Sequence, residues 1–593
     1  MKPLSVKDFT LPAVSAGLAI AVLAPVLTPG FTLVHDMVFT PDQPLLPDSF
    51  GLGTTPPRSV PADAVVAALT WLLPGALVQK LVLFAALTLA AWGAGRLVPA
   101  RSLGPRLVAA TAYAWTPFVA ERLFMGHWPY LLAYACLPWI AAAGLAHRRG
   151  EAKSLTRLVL WSVPAALTPT GGLLAAGTAL ATAGWRVLPA LVLLNAPWWV
   201  PSVLRPGAVL SAPDAVDWFA ARAENWGGTA VSVLGTGGFW NADVTPVSRE
   251  LPVVPVLTLL VVAIAAVGWP VLVRRLPEAT RLLWLGAAGL VLALAAHLPL
   301  GAVALRWLVS EVPGAALLRD AQKWVAWWAL PLALGFALAV EAARRRAVVA
   351  VAALVPLVMT PDLAWGGWGR LSTVDYPPDW AAVADVLARD EHPGDVLSLP
   401  LGAFRRFGWN EHRTQLDPAP RLLPRTVVVD DTVYVDGRPV PGEDTRLPAI
   451  RDALRDGADL GALGIGWVLV EHGTPGALAL PPGLEPVHRG TWLDLYRVPG
   501  PVARAHGTVP VAPVVAADVA TALFVAGCLL WQAIPAGRFI RNRRQESLRE
   551  QVHRSTGRGR RGHRPRRRGH RDARQPRGAG PGREPRERTG RER

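Results

Sequence analysis

The stretch LPVVPVLTLLVVAIAAVGWPVLV, residues 251–273, decides the fold class because it holds no charged residue. An α-helix needs about 20 consecutive apolar residues to cross the hydrocarbon core of a bilayer. Residues 9–28 form a similar run, and residues 76–95 form another in which Lys80 is the only charge. The chain is 52% hydrophobic and 17% charged, with a mean hydropathy of +0.31. These features predict a polytopic α-helical membrane protein.

The basic character of the chain is concentrated at its end. Residues 538–593 hold 21 Arg and 6 Asp or Glu, so nearly all of the formal net charge of +17 lies there. A tail rich in Gly, Pro and Arg with few apolar residues is predicted to be disordered. We expect it to anchor the topology and to touch anionic lipid headgroups. A nucleic-acid partner is not expected, because aromatic residues do not interleave with the arginines.

Twelve apolar runs predict about 12 transmembrane helices. They cover approximately residues 9–28, 76–97, 107–120, 130–146, a short two-span hairpin turning at 169–172, then 188–204, 251–273, 282–298, 324–340, 347–360 and 511–534. If the N-terminus is inside, every basic cluster falls on the cytoplasmic side, in agreement with the positive-inside rule. The sequence therefore predicts a multi-pass plasma-membrane protein with both termini in the cytoplasm.

Four long segments then lie outside the membrane, namely loops 29–75, 205–250 and 299–323 and the segment 361–510. The predicted organisation is a transmembrane domain over residues 1–360, an extracytoplasmic domain over 361–510, a last transmembrane helix over 511–534 and a tail over 535–593. The three loops are too long to be simple connectors, so we expect short helices in them, one of them at residues 61–73. The frequent use of Arg, Ala, Gly and Pro indicates a GC-rich genome, such as that of an actinobacterium.

The extracytoplasmic segment combines interspersed charges with strand-like runs such as GDVLSLP (394–400) and GWVLVE (466–471). It is predicted to form a small α/β or α+β domain. It contains no nucleophile elbow, phosphate loop or metal-ligand spacing. We interpret its acidic and histidine side chains as surface groups, namely His412, Asp417, Asp430 and Asp431. The pair Trp409-Asn410 is interpreted as half-buried. The cysteines Cys136 and Cys528 indicate neither a disulfide nor a metal site.

Polar residues beside the ends of the spans are the candidates for chemistry. The first outer loop places His35 and Asp36 just beyond the first span, with Asp42 following. A carboxylate beside apolar residues at the bilayer surface is expected to have a raised pKa and to suit general-base catalysis. Each of these residues could equally be a solvated loop residue.

Two further stretches carry candidate substrate-binding residues. ERLFMGHW (121–128) brings Glu121, Arg122 and His127 to the end of the third span, where Glu121 and Arg122 could instead neutralise each other. LRDAQKW (318–324) carries Arg319, Asp320 and Lys323, and Arg319 and Lys323 would be neighbours on one helix face. Two cations at the outer surface suit a lipid phosphate or pyrophosphate.

The layout of the chain resembles the GT-C superfamily of integral membrane glycosyltransferases, particularly the actinobacterial arabinofuranosyltransferase and mannosyltransferase group. The features that carry this resemblance are His35-Asp36 after the first span, the outer loops with short helices and the late extracytoplasmic domain. Many of its members carry adjacent acidic residues in the first loop, whereas here the nearest second carboxylate is Asp42. The resemblance implies a polyprenyl-phosphate-linked sugar donor, a cell-envelope glycan acceptor and an inverting transfer. It gives Asp36 the role of general base and Arg319 and Lys323 that of phosphate ligands, with a divalent metal ion as the one cofactor to consider.

Two other functions stay open. A transporter or flippase of lipid-linked glycans would carry ionisable residues in mid-membrane and repeated broken spans, whereas the charges here lie mostly at the ends of the spans. A non-catalytic envelope scaffold would use the outer domain for binding alone. The enzyme hypothesis requires that Asp36, Glu121 and Lys323 face one outward cavity.

Overall fold

The computed structural model describes residues 6–534 except 55–56, 206–211, 436–437, 441, 443, 445, 477–479 and 504–508. The predicted disordered tail lies outside the described residues. Within the described part, seven helices are long and apolar enough to cross a membrane. They are Phe9–Leu27, Gly75–Leu97, Trp128–Arg148, Val254–Arg275, Pro277–His297, Ala321–Ala342 and Val511–Ala533. The chain is therefore a multi-pass membrane protein.

The other predicted spans correspond to shorter or broken helices. The third is split at Pro117 into Leu103–Ala114 and Pro117–Phe124, because proline has no amide hydrogen to continue the first helix. The seventh bends by 71° between Trp185–Leu194 and Ala196–Leu204. The remaining ones are the apolar helices Ser154–Leu167, Pro169–Ala183 and Arg346–Met359. The number of about 12 spans stays a prediction, because these pieces do not reach the length of a full crossing.

Close helix packing holds the membrane body together. A Cβ on Gly268 would lie 1.8 Å from the carbonyl oxygen of Gly335, so these two glycines let their helices approach backbone to backbone. Tyr113 and Tyr134 stack with ring centroids 4.1 Å apart, and each hydroxyl donates to the other residue's carbonyl oxygen. The contact between Tyr113 and Tyr134 fixes the N-terminal part of the helix Trp128–Arg148. This part of the helix lies beside the candidate site.

The outer loops contain the expected short helices, at Ala62–Thr70, Ala215–Trp218, Gly228–Leu234 and Pro299–Glu311. After the last of these, residues 315–324 form two 3₁₀ turns, Ala315–Leu318 and Ala321–Trp324, which Asp320 separates with a ψ of 90°. Arg319 and Lys323 therefore do not share a face of one helix. That prediction is wrong because the chain is not continuously helical between them.

The small α/β domain is built on a five-stranded sheet. In spatial order its strands are Val427–Val428, Asp395–Leu399, Ile465–Glu471, Leu493–Arg497 and Glu485–Arg489, the first three mutually parallel and the last two antiparallel to their neighbours. Two short hairpins, Phe404–Arg405 with Gln415–Leu416 and Val433–Val435 with Arg438–Val440, stand outside it. The predicted strands at 394–400 and 466–471 lie within this sheet.

Helices cover both faces of the sheet, which explains why its central strand is buried throughout. Trp467 and Leu469 of that strand pack against the helix Pro378–Arg389, whereas Val468 and Val470 pack against the helix Leu447–Asp456. A further four-residue helix, Ala419–Leu422, contributes to the first of these two cores.

The first outer loop is hydrogen-bonded to the α/β domain. Phe31 and Val374 exchange backbone hydrogen bonds of 2.7 and 2.9 Å. His35 donates its amide to the Thr414 carbonyl at 2.6 Å and accepts from the Leu416 amide at 2.8 Å. These bonds hold the His35-Asp36 dipeptide at the boundary between the membrane body and the sheet domain.

Candidate functional site

A cavity of about 1430 Å³ lies between the membrane body and the α/β domain. Six of the predicted site residues line it, namely His35, Asp36, His127, Arg319, Asp320 and Lys323. Typical ligand pockets hold about 300–1,000 Å³, so this one is large enough for an extended substrate. Of the three residues required to face one cavity, Asp36 and Lys323 do so and Glu121 does not.

The other three predicted residues lie elsewhere. Asp42 is exposed and is not part of the cavity wall. Glu121 and Arg122 are fully buried behind the wall. Neither of these two side chains can touch a substrate without a rearrangement, so their position points to a supporting role.

Asp36 owes its position to the close approach of two loops. Its amide donates to the Met125 carbonyl at 3.1 Å. Gly126, at a φ of 77°, lies against the same turn, where a Cβ would meet the Met37 nitrogen at 2.2 Å. Glycine is the residue that tolerates both this φ and this proximity. The contact brings His127 beside Asp36.

Asp36 and His127 form a hydrogen-bonded pair, with Oδ2 of Asp36 3.0 Å from Nε2 of His127. Burial alone would raise the pKa of Asp36, but the hydrogen bond and the partial charge of His127 outweigh it and hold that pKa below its usual value. The predicted rise in the pKa of Asp36 is therefore wrong, because the sequence did not show this partner. Asp36 is ionised at neutral pH and can accept a proton. Burial lowers the pKa of the neighbouring His35, which keeps that imidazole neutral.

The opposite part of the wall is cationic. Nζ of Lys323 lies 3.7 Å from Oδ2 of Asp320 and 3.5 Å from Oγ1 of Thr170, in the first turn of the helix Pro169–Ala183. The guanidinium of Arg319 stands 4.9 Å from the centre of the Phe219 ring. Because the positive end of a helix dipole adds to these two charges, this region suits a phosphate group.

Arg122 is the centre of a buried polar cluster. Its guanidinium donates to Asp320 at 3.0 and 3.3 Å and to Oε1 of Gln322 at 3.1 and 2.5 Å, and it stacks 4.4 Å from the centre of Phe239. Burial opposes ionisation of Asp320, but the charge of Arg122 lowers the pKa of Asp320 to about 2. Glu121 accepts from Gln322 at 2.9 Å. The interpretation that Glu121 and Arg122 neutralise each other is therefore wrong, since each bonds to Gln322 from a different side.

A second buried ion pair lies behind this cluster. Nε of Arg249 is 2.8 Å from Oε2 of Glu224, and both side chains are fully buried. Burial opposes ionisation of Glu224, but Arg249 keeps the pKa of Glu224 below its usual value. Glu224 is thus the carboxylate of this buried ion pair, whereas the bond that holds Glu121 comes from the neutral amide of Gln322.

Sequence reasoning missed several of these residues. Gln322 carries no charge, and Glu224 and Arg249 lie in a loop expected to face solvent. On the α/β domain, Arg406 and Arg421 line the cavity as well. No sequence pattern pairs residues such as Arg122 and Gln322, which are 200 positions apart.

The candidates inside the α/β domain mostly serve its packing. Asp417, predicted at the surface, is instead 3% exposed and pairs with Arg405 at 2.9 Å. Arg405 also bonds to Glu471, and this buried cluster joins the short hairpin to the sheet. Of the Trp-Asn pair, Asn410 is fully buried and donates to the Leu33 carbonyl at 3.0 Å. Asp430 and Asp431 form ion pairs with Arg451 and Arg58, and His412 stays near the surface.

A resident divalent ion does not fit the side chains that line this site. Within the described ranges, no group of three or more His, Cys, Asp or Glu is arranged to hold a metal. We therefore derive no step through a metal. Cys136 and Cys528 are both free and buried.

Comparison with known proteins bears on the fold. No family model matches the chain. No curated protein matches it either. Among solved structures, arabinofuranosyltransferase AftD from mycobacteria is similar, with a TM-score of 0.53 at 18% identity, over 84% of this chain and 40% of that one. Two structures of a substituted form of the same enzyme have TM-scores of 0.51 and 0.50 at 18% identity, over 83% and 84% of this chain and 42% of theirs.

This chain spans about two fifths of the length of the structures it matches. At 18% identity the similarity concerns the architecture of the chain and not its activity. The chain is a multi-pass membrane protein whose fold is similar to that of the arabinofuranosyltransferase AftD.

Proposed function

We propose that the chain is a membrane glycosyltransferase that transfers a sugar from a polyprenyl-phosphate donor to a cell-envelope glycan at the outer face of the membrane. The observation that carries the proposal is the placement of an ionised carboxylate, Asp36, and two cations, Arg319 and Lys323, on the wall of one large cavity. The similarity to a solved arabinofuranosyltransferase supports the same class of reaction.

In the proposed reaction the hydroxyl oxygen of the acceptor attacks the anomeric carbon of the donor sugar. Asp36 takes the hydroxyl proton as this bond forms. The bond from the anomeric carbon to the phosphate oxygen breaks, and Arg319 and Lys323 stabilise the negative charge of the departing polyprenyl phosphate. A single displacement inverts the configuration at the anomeric carbon and needs no covalent enzyme intermediate.

The apolar part of the cavity wall supports a lipid-linked donor. Trp198, Trp199 and Val203 of the bent helix pair line the cavity together with Trp240. Val203 is 74% exposed, so this part of the wall continues to the outside of the helix bundle. A polyprenyl chain could leave the cavity along this surface while its phosphate stays at Lys323.

We further propose the full topology: about 12 spans, both termini in the cytoplasm, residues 361–510 outside the membrane and membrane lipids around the body. Contacts between the basic ends of the helices support it. Arg275 donates to the Pro99 carbonyl at 3.0 Å, and the Arg101 amide donates to Glu341 at 2.7 Å. Three basic helix ends thus meet at one end of the bundle.

Cysteine labelling tests this topology. Glu391→Cys on the α/β domain and Glu151→Cys in a predicted cytoplasmic loop are matched, because both glutamates are exposed. A membrane-impermeant maleimide added to whole cells should label only the first variant, whereas permeabilised cells should show both. Labelling of the second variant in whole cells would contradict the proposed orientation.

The activity is tested with Asp36→Asn in membranes supplied with a radiolabelled polyprenyl-phosphate sugar. Transfer should fall by about 10²-fold or more, the usual contribution of a general base. Asp42→Asn is the matched control, since Asp42 is an exposed carboxylate of the same loop outside the cavity wall. Unchanged transfer by Asp36→Asn would end the enzyme assignment. Movement of lipid-linked glycan across vesicles without transfer would favour the transporter.

A further inference from the structure

We infer that His127 is a positioning residue whose hydrogen-bond direction is set by Arg122, so that His127 holds Asp36 as an ionised base facing the cavity. The inference rests on the proposed function and extends it to a residue that does not itself react. The chain of contacts runs from the buried cluster around Gln322 to the cavity wall.

The direction of the hydrogen bonds follows from the chemistry of arginine. Nη1 of Arg122 lies 3.0 Å from Nδ1 of His127. A guanidinium has five N–H donors and no acceptor, so Nδ1 must be the acceptor and carries no proton. In the neutral imidazole the proton then sits on Nε2. That atom lies 3.0 Å from Oδ2 of Asp36 and donates to it.

Arg122 cannot turn away from His127 easily. It is fully buried, and its other N–H groups are engaged by Asp320 and Gln322. The amide of Gln322 is oriented in turn, because its Nε2 donates to Oε2 of Glu121 at 2.9 Å and its Oε1 is thereby left to accept from Arg122. The tautomer of His127 is thus determined by residues that never reach the cavity.

Nδ1 of His127 cannot donate in this arrangement. A proton on Nδ1 would place an N–H donor against the N–H of Arg122. His127 therefore donates to Asp36 through Nε2, and the proton of the acceptor goes to Asp36.

Asp36 keeps one side open to the substrate. Its side chain is 36% exposed, and its Oδ1 accepts no hydrogen bond from the described residues. The titratable and charged groups around the pair are His35 and Arg421 beside Asp36, Arg122 and Asp320 beside His127, and Asp243 and Arg406 beside His35. The only one of these that bonds directly to the Asp36 carboxylate, within the described part of the chain, is His127.

Two substitutions separate this role from simple packing. In His127→Gln the side-chain oxygen can accept from Arg122 and the amide N–H can donate to Asp36, so the direction is kept without a titratable group. In His127→Leu both bonds are lost. We expect kcat of the Gln variant to stay within about 10-fold of the wild type, and kcat of the Leu variant to fall by about 10²-fold.

The pH profile is the readout that packing would not move. Without its donor, the pKa of Asp36 should rise, which shifts the acid limb of the kcat/KM profile of His127→Leu upward by about one pH unit. The acid limb of His127→Gln should coincide with that of the wild type. Equal shifts in the two variants, or no shift in the Leu variant, would overturn the inference.

A measurement independent of activity covers the case in which His127→Leu does not fold. In ¹⁵N-histidine-labelled full-length protein, His127 is identified by comparison with His127→Gln. Its Nδ1 should show the chemical shift of an unprotonated nitrogen and its Nε2 that of an N–H. The opposite tautomer would refute the inference. Failure of the proposed function is separately visible as unchanged transfer by Asp36→Asn.

Discussion

The two buried glutamates behind the site should respond to different extents to the same chemical change. Glu224 is the ionised partner of Arg249, whereas Glu121 accepts from the neutral amide of Gln322 and forms no ion pair among the described residues. Glu224→Gln removes a charge from a buried pair. Glu121→Gln keeps an oxygen that can accept from Gln322 and breaks no ion pair.

The magnitude follows from the geometry of the ion pair. At 2.8 Å, with an effective dielectric constant of 20, the attraction between two unit charges is about 6 kcal/mol. Part of it is offset because an amide is easier to bury than a carboxylate. Nη1 and Nη2 of Arg249 have no hydrogen-bond partner among the described residues, so its charge would be left without compensation. We expect Glu224→Gln to cost about 3–5 kcal/mol and Glu121→Gln to cost less than about 1 kcal/mol.

Thermal unfolding of the purified full-length protein in detergent measures both costs. At about 2–4 °C per kcal/mol for a large domain, the midpoint of Glu224→Gln should fall by roughly 10 °C and that of Glu121→Gln by at most a few degrees. The double variant Glu224→Gln/Arg249→Met should regain stability, because the unpaired charge is gone. Equal losses in the two single variants would refute the assignment of the buried charge to Glu224 and its pair with Arg249.

Three further predictions follow from the same contacts. Lys323→Met should raise the donor KM by about 10-fold or more through loss of a phosphate ligand, whereas Arg149→Met at an exposed site should leave the KM unchanged in the same transfer assay. Burial, together with the adjacent Asp417, raises the pKa of Glu471 to about 8 despite Arg405. The folded protein then binds more protons than the unfolded one between about pH 4.5 and 8, so its stability should fall as the pH rises through this window. Glu471→Gln should flatten the dependence of the melting temperature on pH. Gly126→Ala should lower both stability and transfer, because a methyl group there meets the Met37 nitrogen at 2.2 Å, and melting and transfer assays that match the wild type would contradict this.

Much of the architecture could be predicted because it depends on local properties. A run such as residues 251–273 is apolar regardless of its neighbours, and the structure places the helix Val254–Arg275 there. The strand-like run 466–471, which the structure places in the strand Ile465–Glu471, is a local signal in the same sense. Less could be predicted where the chain bends, as at Pro117, or forms 3₁₀ turns around Asp320.

The sequence by itself determined the membrane class, the small α/β domain and the list of polar residues from which the candidate site is built. Only the tertiary structure decided which of them meet: His127 with Asp36, 91 positions apart, and Arg122 with Asp320, 198 positions apart. It also decided which carboxylates are ionised, because the pKa values of Asp36 and Glu471 depend on burial and on partners from distant segments. Hydrophobicity is a property of a single stretch of chain, whereas a hydrogen bond or an ion pair belongs to two stretches that folding brings together.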